Sequence, residues 1–168
     1  MVSQVFSMGI YGMNAFPVEV EADLSSGLPS FEVVGLPDAA VKESRNRVRA
    51  AMKNCGYDFP VSRITVNLAP ADKRKEGPIY DLPILIALLK ASGQLDVDLA
   101  GKVFLGEISL AGDARPIRGI LPMAISAKEN GFQELYVPEE NAAEGAVVNG
   151  LSVYPVKNLP SLIQHLTG

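Results

Sequence analysis

Apolar and polar residues alternate with a period of two in the first third of the chain. Val18, Val20 and Ala22 alternate with acidic residues across residues 16–23, which is typical of a strand with one exposed face. β-branched and aromatic residues also fill residues 2–11 and 31–34, with turn residues between the segments. The pattern therefore predicts three strands before residue 35.

The period changes to that of a helix after Pro37. We expect this helix to begin with Asp38 as its N-cap and to end at Cys55-Gly56. The apolar positions form one stripe, which contains Val41, Val48, Ala51, Met52 and Cys55. The opposite face is basic and contains Lys42, Arg45, Arg49 and Lys53, spaced so that they follow one line along the helix.

Strands and helices alternate in the remaining two thirds. The pattern predicts a strand over residues 63–68, with Ile64, Val66 and Leu68 facing inward, and then a charged loop over 72–78. Asp81 is expected to cap a helix that ends at Gly93. The later predicted elements are a strand pair at 102–110, a helix at 119–130, a strand at 135–137, a short helix at 139–144, a strand at 153–154 and a helix at 159–166. This order predicts a single α+β domain, an α/β arrangement in two layers.

Composition narrows the classes of protein to which the chain can belong. The 168 residues suffice for one core, and a net charge of −4 argues against coating nucleic acid or membrane by bulk charge. The longest apolar run, residues 82–89, is too short to span a bilayer. Cys55 is the only cysteine, which fits a reducing compartment, so we expect the protein to be cytoplasmic with no membrane partner.

Residues that commonly carry chemistry are sparse. No phosphate-binding Gly-x-x-x-x-Gly-Lys-[Ser/Thr] segment occurs, and His165, the only histidine, falls near the end of the last helix. Asp72, Glu76 and Asp81 lack the ligand spacing of a calcium loop, so we expect no metal site there. Glu107 and Arg115 belong to neighbouring segments and are expected to form an ion pair.

Six segments in collinear order are distinctive. They are FEVVGLPDAAVKESRNRVRAA at 31–51, RITVNLAPAD at 63–72, GPIYDLPI at 77–84, FLGEISLAG at 104–112, RPIRGILP at 115–122 and VPEENAAE at 137–144. Together they resemble the magnesium-chelatase-like (ChlI-type) proteins of the ComM/YifB competence family, and the resemblance covers nearly the whole chain. The resemblance implies that residues 1–168 form one domain ahead of an AAA+ module, which would bind ATP and Mg²⁺ beyond residue 168. No cofactor is expected in this domain.

The segments KEGPIYD at 75–81 and PIRGI at 116–120 resemble the proteolytic domain of Lon. The fold implied is therefore Lon protease domain-like, grouped with ribosomal protein S five domain-two-like folds. The register places Ile79 where Lon has its nucleophilic serine and Leu121 where Lon has its general-base lysine. Isoleucine cannot attack a carbonyl and leucine cannot carry a proton, so the resemblance implies no catalytic residue, and we expect both side chains to be buried close together.

The resemblance leaves three roles open. The first is a non-catalytic accessory domain that supports hexamer assembly and DNA handling (branch migration and natural transformation) by a ComM-type ATPase. The second is a protein-interaction scaffold of such an ATPase with no DNA role, and the third is a Lon-like serine peptidase. The expected partners are the AAA+ module of the same protein, neighbouring subunits and DNA. The candidate surface for them is basic and contains Lys42, Arg45, Arg49, Lys53, Arg63, Lys73, Arg74 and Lys75.

Overall fold

The computed structural model describes residues 2–75 and 77–168. Its strands are β1 (Val2–Tyr11), β2 (Asn14–Ser25), β3 (Ser30–Val34), β4 (Arg63–Ala69), β5 (Lys102–Phe104), β6 (Glu107–Ile108), β7 (Ala114–Arg115), β8 (Glu134–Pro138) and β9 (Ser152–Val156). Its helices are α1 (Asp38–Asn54), α2 (Asp81–Ala91), α3 (Ile120–Glu129), α4 (Ala142–Gly145) and α5 (Leu159–Thr167). Short 3₁₀ turns at Pro78–Tyr80 and Glu139–Asn141 precede α2 and α4.

Seven of the strands form one mixed sheet in the order β3-β4-β2-β1-β5-β8-β9. β2 pairs antiparallel with both β1 and β4, whereas the remaining neighbours are parallel. β6 and β7 form a separate two-stranded ribbon, so the predicted pair at 102–110 is divided between two sheets at Gly106. This architecture confirms the predicted mixed α/β class.

Apolar side chains pack on both faces of the sheet. Leu135 and Val137 join one core cluster, while Tyr136 between them joins the other, as the period of two requires. The helices α1, α2 and α5 cover the larger cluster, and α3 covers the smaller one. The two predicted layers are therefore the sheet and the helices α1 and α2. The helix α3 forms a further layer on the opposite face of the sheet.

Two predicted helix caps are wrong. Pro37 occupies the N-cap position of α1, and Asp38 is the first helical residue, with no side-chain cap on the first turn. Tyr80 precedes α2, and the Asp81 carboxylate turns into the core instead of capping the helix. Asp81 turns inward because it has buried hydrogen-bond donors on α1, as described below.

Candidate functional site

The segment aligned with the Lon nucleophile is apolar and packed. Ile79 is half-buried in the 3₁₀ turn before α2 and contacts both core clusters. Tyr80 beside it is buried, and burial raises the pKa of its phenol well above the usual value, so it stays protonated. Glu76, in the same segment, lies outside the described residues. Isoleucine at position 79 itself offers no nucleophile.

Leu121 contradicts the expectation that the residues at both Lon catalytic positions, 79 and 121, are buried. It is 37% exposed near the beginning of α3, whereas its neighbour Ile120 is fully buried. One residue is about 100° of helical rotation, so Ile120 takes the core-facing position and turns Leu121 outward. The backbone N–H of Leu121 donates to the Glu144 carboxylate at 3.0 Å. An aliphatic side chain at this surface position cannot serve as a base.

A buried carboxylate next to this segment joins three elements. Asp81 accepts hydrogen bonds from Ser44 Oγ at 2.8 Å and from Arg47 Nε at 2.6 Å, both on α1. It also accepts one from the backbone N–H of Ile108 in β6 at 3.2 Å. Burial raises the pKa of Asp81 while the Arg47 guanidinium opposes that rise, and the hydrogen bond to Asp81 raises the pKa of Arg47. The cluster ties α1, α2 and β6 together.

The basic residues of α1 suggested that Arg47 extends the charged surface, not that it faces the core, although helical spacing contains the signal. Residues 44, 47, 48 and 51 lie on one side of a helix, and Ser44, Val48 and Ala51 are all buried. A charged residue on that side requires a buried partner. The nearby ion pair expected between Glu107 and Arg115 is confirmed, with Arg115 Nε 3.8 Å from Glu107 Oε2.

The basic face of α1 is largely as expected. Lys42, Arg49 and Lys53 are exposed, and Val48 and Met52 on the other side are buried. Arg45 departs from this pattern, because it is half-buried and its Nε atom is buried without a hydrogen-bond partner among the described residues. The face therefore has three solvated cations and one that lies partly under the surface.

Aromatic rings flank this face, although none of them lies on the helix α1 itself. The Arg49 guanidinium lies over the Phe59 ring at 6.0 Å, and Phe59 packs against Phe31 at 6.1 Å. A groove of about 550 Å³ runs here and contains Arg49, Lys53, Tyr57 and Phe59 among its lining residues. The segment after α1 supplies Tyr57 and Phe59, so helical periodicity alone does not reveal them.

The other predicted basic residues lie apart, and one is not on the surface. Lys73 and Arg74 are exposed beside a 460 Å³ cavity at the beginning of α1, and Arg63 begins β4 with its stem over Gly27. Lys75 is only 4% exposed, and its ammonium donates to the carbonyls of Pro70 and Lys73. Lys75 therefore stabilises the loop that contains it, and the prediction that it lies on the surface is wrong.

The remaining candidates do not form a site with these residues. His165 is exposed on α5, with its ring 4.8 Å from that of Tyr154 on β9. Within residues 2–75 and 77–168, no group of three or more His, Cys, Asp or Glu side chains is arranged to hold a metal ion. No helix in these ranges is long and apolar enough to cross a membrane.

Comparison with known proteins agrees with the resemblance in the sequence. Residues 20–141 match the family described as subunit ChlI of Mg-chelatase. The chain is 42% identical over 165 residues to competence protein ComM of Haemophilus influenzae, covering 98% of this chain and 32% of that protein. It is also 42% identical over 168 residues to the uncharacterized protein YifB of Escherichia coli, covering 99% of this chain and 33% of that protein.

A more distant relative bears on the fold. The Lon protease of Aster yellows witches'-broom phytoplasma is 27% identical over 168 residues, covering 93% of this chain and 21% of that protein. This similarity and the mixed sheet support a Lon-like domain. The chain spans about a third of the length of its ComM and YifB relatives, so it corresponds to one part of such longer proteins.

Proposed function

The chain belongs to the family of subunit ChlI of Mg-chelatase, and from this membership we propose that it is a non-catalytic accessory domain of a ComM-type AAA+ ATPase. In the full-length protein the domain supports hexamer assembly and the handling of DNA in branch migration and natural transformation. ATP and Mg²⁺ belong to the AAA+ module in this proposal. The similarity to ComM over nearly the whole chain supports the assignment.

The basic face of α1 is the observation that supports contact with DNA. Lys42, Arg45, Arg49 and Lys53 lie at spacings of three, four and four residues. They extend along about 16 Å of helix at 1.5 Å per residue. A line of cations of this length matches several successive phosphates, because each strand of a duplex carries one charge about every 3.4 Å of its axis.

The surroundings of the helix set the expected strength of the contact. Phe59 and Tyr57 border the cations and offer ring faces beside them. Asp38 and Glu32 line the groove beside Lys42, and Asp58 lines the groove beside Arg49. Because acidic groups partly offset the cations, we expect binding that is weak for one domain and strengthened when several domains are held in a ring.

The proposal predicts a specific dependence on salt. Three or four phosphate contacts give a log-log slope of affinity against salt of about −3, because each contact releases condensed counterions. The double variant Arg45→Ala, Arg49→Ala should make this slope shallower by roughly two. Fluorescence anisotropy of the full-length protein with branched and single-stranded DNA at several salt concentrations measures it.

A matched variant controls for total charge. Lys128→Ala with Lys157→Ala removes the same charge from exposed positions outside α1 and should leave the slope unchanged. An unchanged slope in the α1 double variant excludes this helix from DNA binding. If that variant instead fails to form hexamers in analytical ultracentrifugation while its salt slope stays the same, the face is a docking surface and the scaffold role is favoured.

A further inference from the structure

The two edges of the main sheet differ in their ability to accept another strand. In β9 the backbone N–H of Ser152 donates toward β8, to the Gln133 carbonyl at 3.0 Å. Backbone groups alternate along a strand, so Val153 and Pro155 direct theirs away from the sheet. Proline has no N–H, so half of the donors on this edge are missing. The β9 edge is therefore blocked in the way that protects natural sheets from further pairing.

The β3 edge has no such block. The N–H of Ser30 donates to the Ser62 carbonyl at 3.3 Å beside β4, so Phe31 and Val33 direct their N–H and C=O groups outward. Among the described residues β3 pairs only with β4, and it contains neither proline nor lysine. Both outward donors are therefore present and face away from the sheet.

A groove of about 560 Å³ runs along this open edge, between β3 and α1. Val34, which is 55% exposed, and Val41 supply apolar lining, and Lys42 and Arg45 supply two cations. Arg45 carries the buried Nε atom that has no partner among the described residues. A buried donor of this kind is normally satisfied, and a carboxylate is the acceptor that best matches a guanidinium.

Two carboxylates limit what the groove can accept. Glu32 and Asp38 also line it, so the four charged side chains sum to zero, and a strongly acidic segment gains nothing from the groove as a whole. The unsatisfied position is local, at Arg45. The matching occupant is extended, mostly β-branched or apolar, and carries one carboxylate that faces α1.

We propose that this groove binds an extended peptide segment of a partner protein, which adds to β3 as a further strand and places a single carboxylate on Arg45. Phe31 and Val33 supply the main-chain hydrogen bonds, and the apolar lining receives the flanking side chains. Arg45 selects the segment by its charge. The groove shares Lys42 and Arg45 with the basic face of α1. The main-chain pairing at β3 uses no cation, so the proposal does not depend on DNA binding.

The probe is a fluorescein-labelled peptide, Thr-Val-Thr-Glu-Thr-Val-Thr, in which valine, glutamate and valine share one face of a strand. Amide hydrogen exchange measured by NMR should slow at Phe31 and Val33 when the peptide is added. Glu32 and Val34 should not change, because their amides already face β4. The same peptide N-methylated at alternate residues lacks the donors for the ladder and should not bind.

Arg45→Gln tests the charge selection. In the unmodified protein, anisotropy should show that the glutamate peptide binds about tenfold tighter than its glutamine counterpart, as expected for a charge-assisted hydrogen bond. Arg45→Gln should remove this preference, whereas the control Arg49→Gln, which lines the other groove, should keep it. A second variant, Phe31→Pro, removes one outward N–H from an edge strand and should abolish binding of both peptides while circular dichroism stays unchanged.

Three results would overturn the proposal. The first is no binding at millimolar peptide, and the second is binding that leaves amide exchange at Phe31 and Val33 unchanged. The third is slow exchange at these two amides in concentrated protein without peptide, which would make a second copy of the chain the occupant. Phe31→Pro leaves every cation of α1 in place, so a failure here is separable from a failure of the DNA proposal.

Discussion

Arg47 is a charged residue on the side of α1 that faces the core. Its guanidinium holds Asp81 through two hydrogen bonds, from Nε at 2.6 Å and from Nη2 at 3.1 Å. The Asp81 side chain is 1% exposed and that of Arg47 is 24% exposed, so water screens the pair little on the carboxylate side. A pair of this kind adds little net stability by itself, but losing one partner leaves a charge buried without compensation.

The pair predicts a large and asymmetric cost of mutation. Arg47→Ala should lower the free energy of unfolding by about 3 kcal/mol, because Asp81 then remains buried without its cation. Replacing both residues, Arg47→Met with Asp81→Leu, should cost less than the single change. Urea unfolding followed by circular dichroism measures both. Lys42→Ala, on the exposed face of the same helix, is the control and should change the value by no more than about 0.5 kcal/mol. Equal costs at positions 47 and 42 would contradict this account.

At the residue scale, sequence predicts which residues are charged but not where each charge finds its partner. Lys75 lies in a run of charged residues that resembles a solvated loop, yet its ammonium is held by two carbonyls of that loop. Burial lowers the pKa of Lys75, which the sequence could not indicate because the loop conformation creates the site. Leu121 and Arg45 also differ from expectation, because Leu121 is more exposed and Arg45 more buried than predicted.

The two longest helices of the larger core illustrate how far an element can be predicted. α1 has one apolar stripe, and sequence periodicity predicted its buried side correctly at Val48, Ala51 and Met52. α2 is buried at every position except Lys90, which is half-buried. An all-round apolar helix is expected to be central, and α2 contacts both β1 and β2 in the middle of the sheet. The sequence predicted this helix. The N-cap assignment at Asp81 was wrong because it assumed that the carboxylate bonds within its own helix, whereas its side-chain partners lie on α1.

This contrast predicts different mutational patterns in the two helices. Ile84→Ala, Leu85→Ala and Ile86→Ala point in three directions about 100° apart, and each should cost about 3 kcal/mol, because all three positions are fully buried. In α1 the cost should follow the helical period, with about 3 kcal/mol for Met52→Ala and less than about 0.5 kcal/mol for the control Lys53→Ala. Urea denaturation at constant pH gives these values. A cost that varies with helical direction in α2 would contradict its central placement.

For the whole molecule, sequence predicted most of the elements and their class, but neither the strand β7 nor the order of strands. β5 lies between β1 and β8 although nearly a hundred residues separate it from β1, and no local pattern encodes such a pairing. The position of β3 at an edge, which leaves its outer side open, follows from that order and could not be predicted from the sequence either. The family resemblance supplied the Lon-like fold, which periodicity alone could not distinguish from other α/β arrangements.

The chain is predicted to lack both protease activity and ATP hydrolysis, the two activities that its resemblances suggest. Ile79 and Leu121 provide neither a nucleophile nor a base, and the sequence has no phosphate loop, so the purified chain should not cleave casein or release phosphate from ATP. Gel electrophoresis and a phosphate-release assay measure this. Cleavage that persists when each of four serines is replaced in turn indicates contamination, whereas cleavage lost with one replacement would contradict the prediction. The serines to replace are Ser62, Ser92, Ser109 and Ser126.

The proline in β9 also limits how many molecules can join through their sheets. In the language of polymer chemistry, a unit with two reactive ends propagates a chain, whereas a unit with one reactive end terminates it. The β3 edge is reactive and the β9 edge is capped by Pro155, so with respect to strand pairing this protein is monofunctional. Two copies joined at β3 would present only capped ends, and growth would stop at the pair. The fold can thus keep one edge open for recognition without the open-ended stacking that produces fibres.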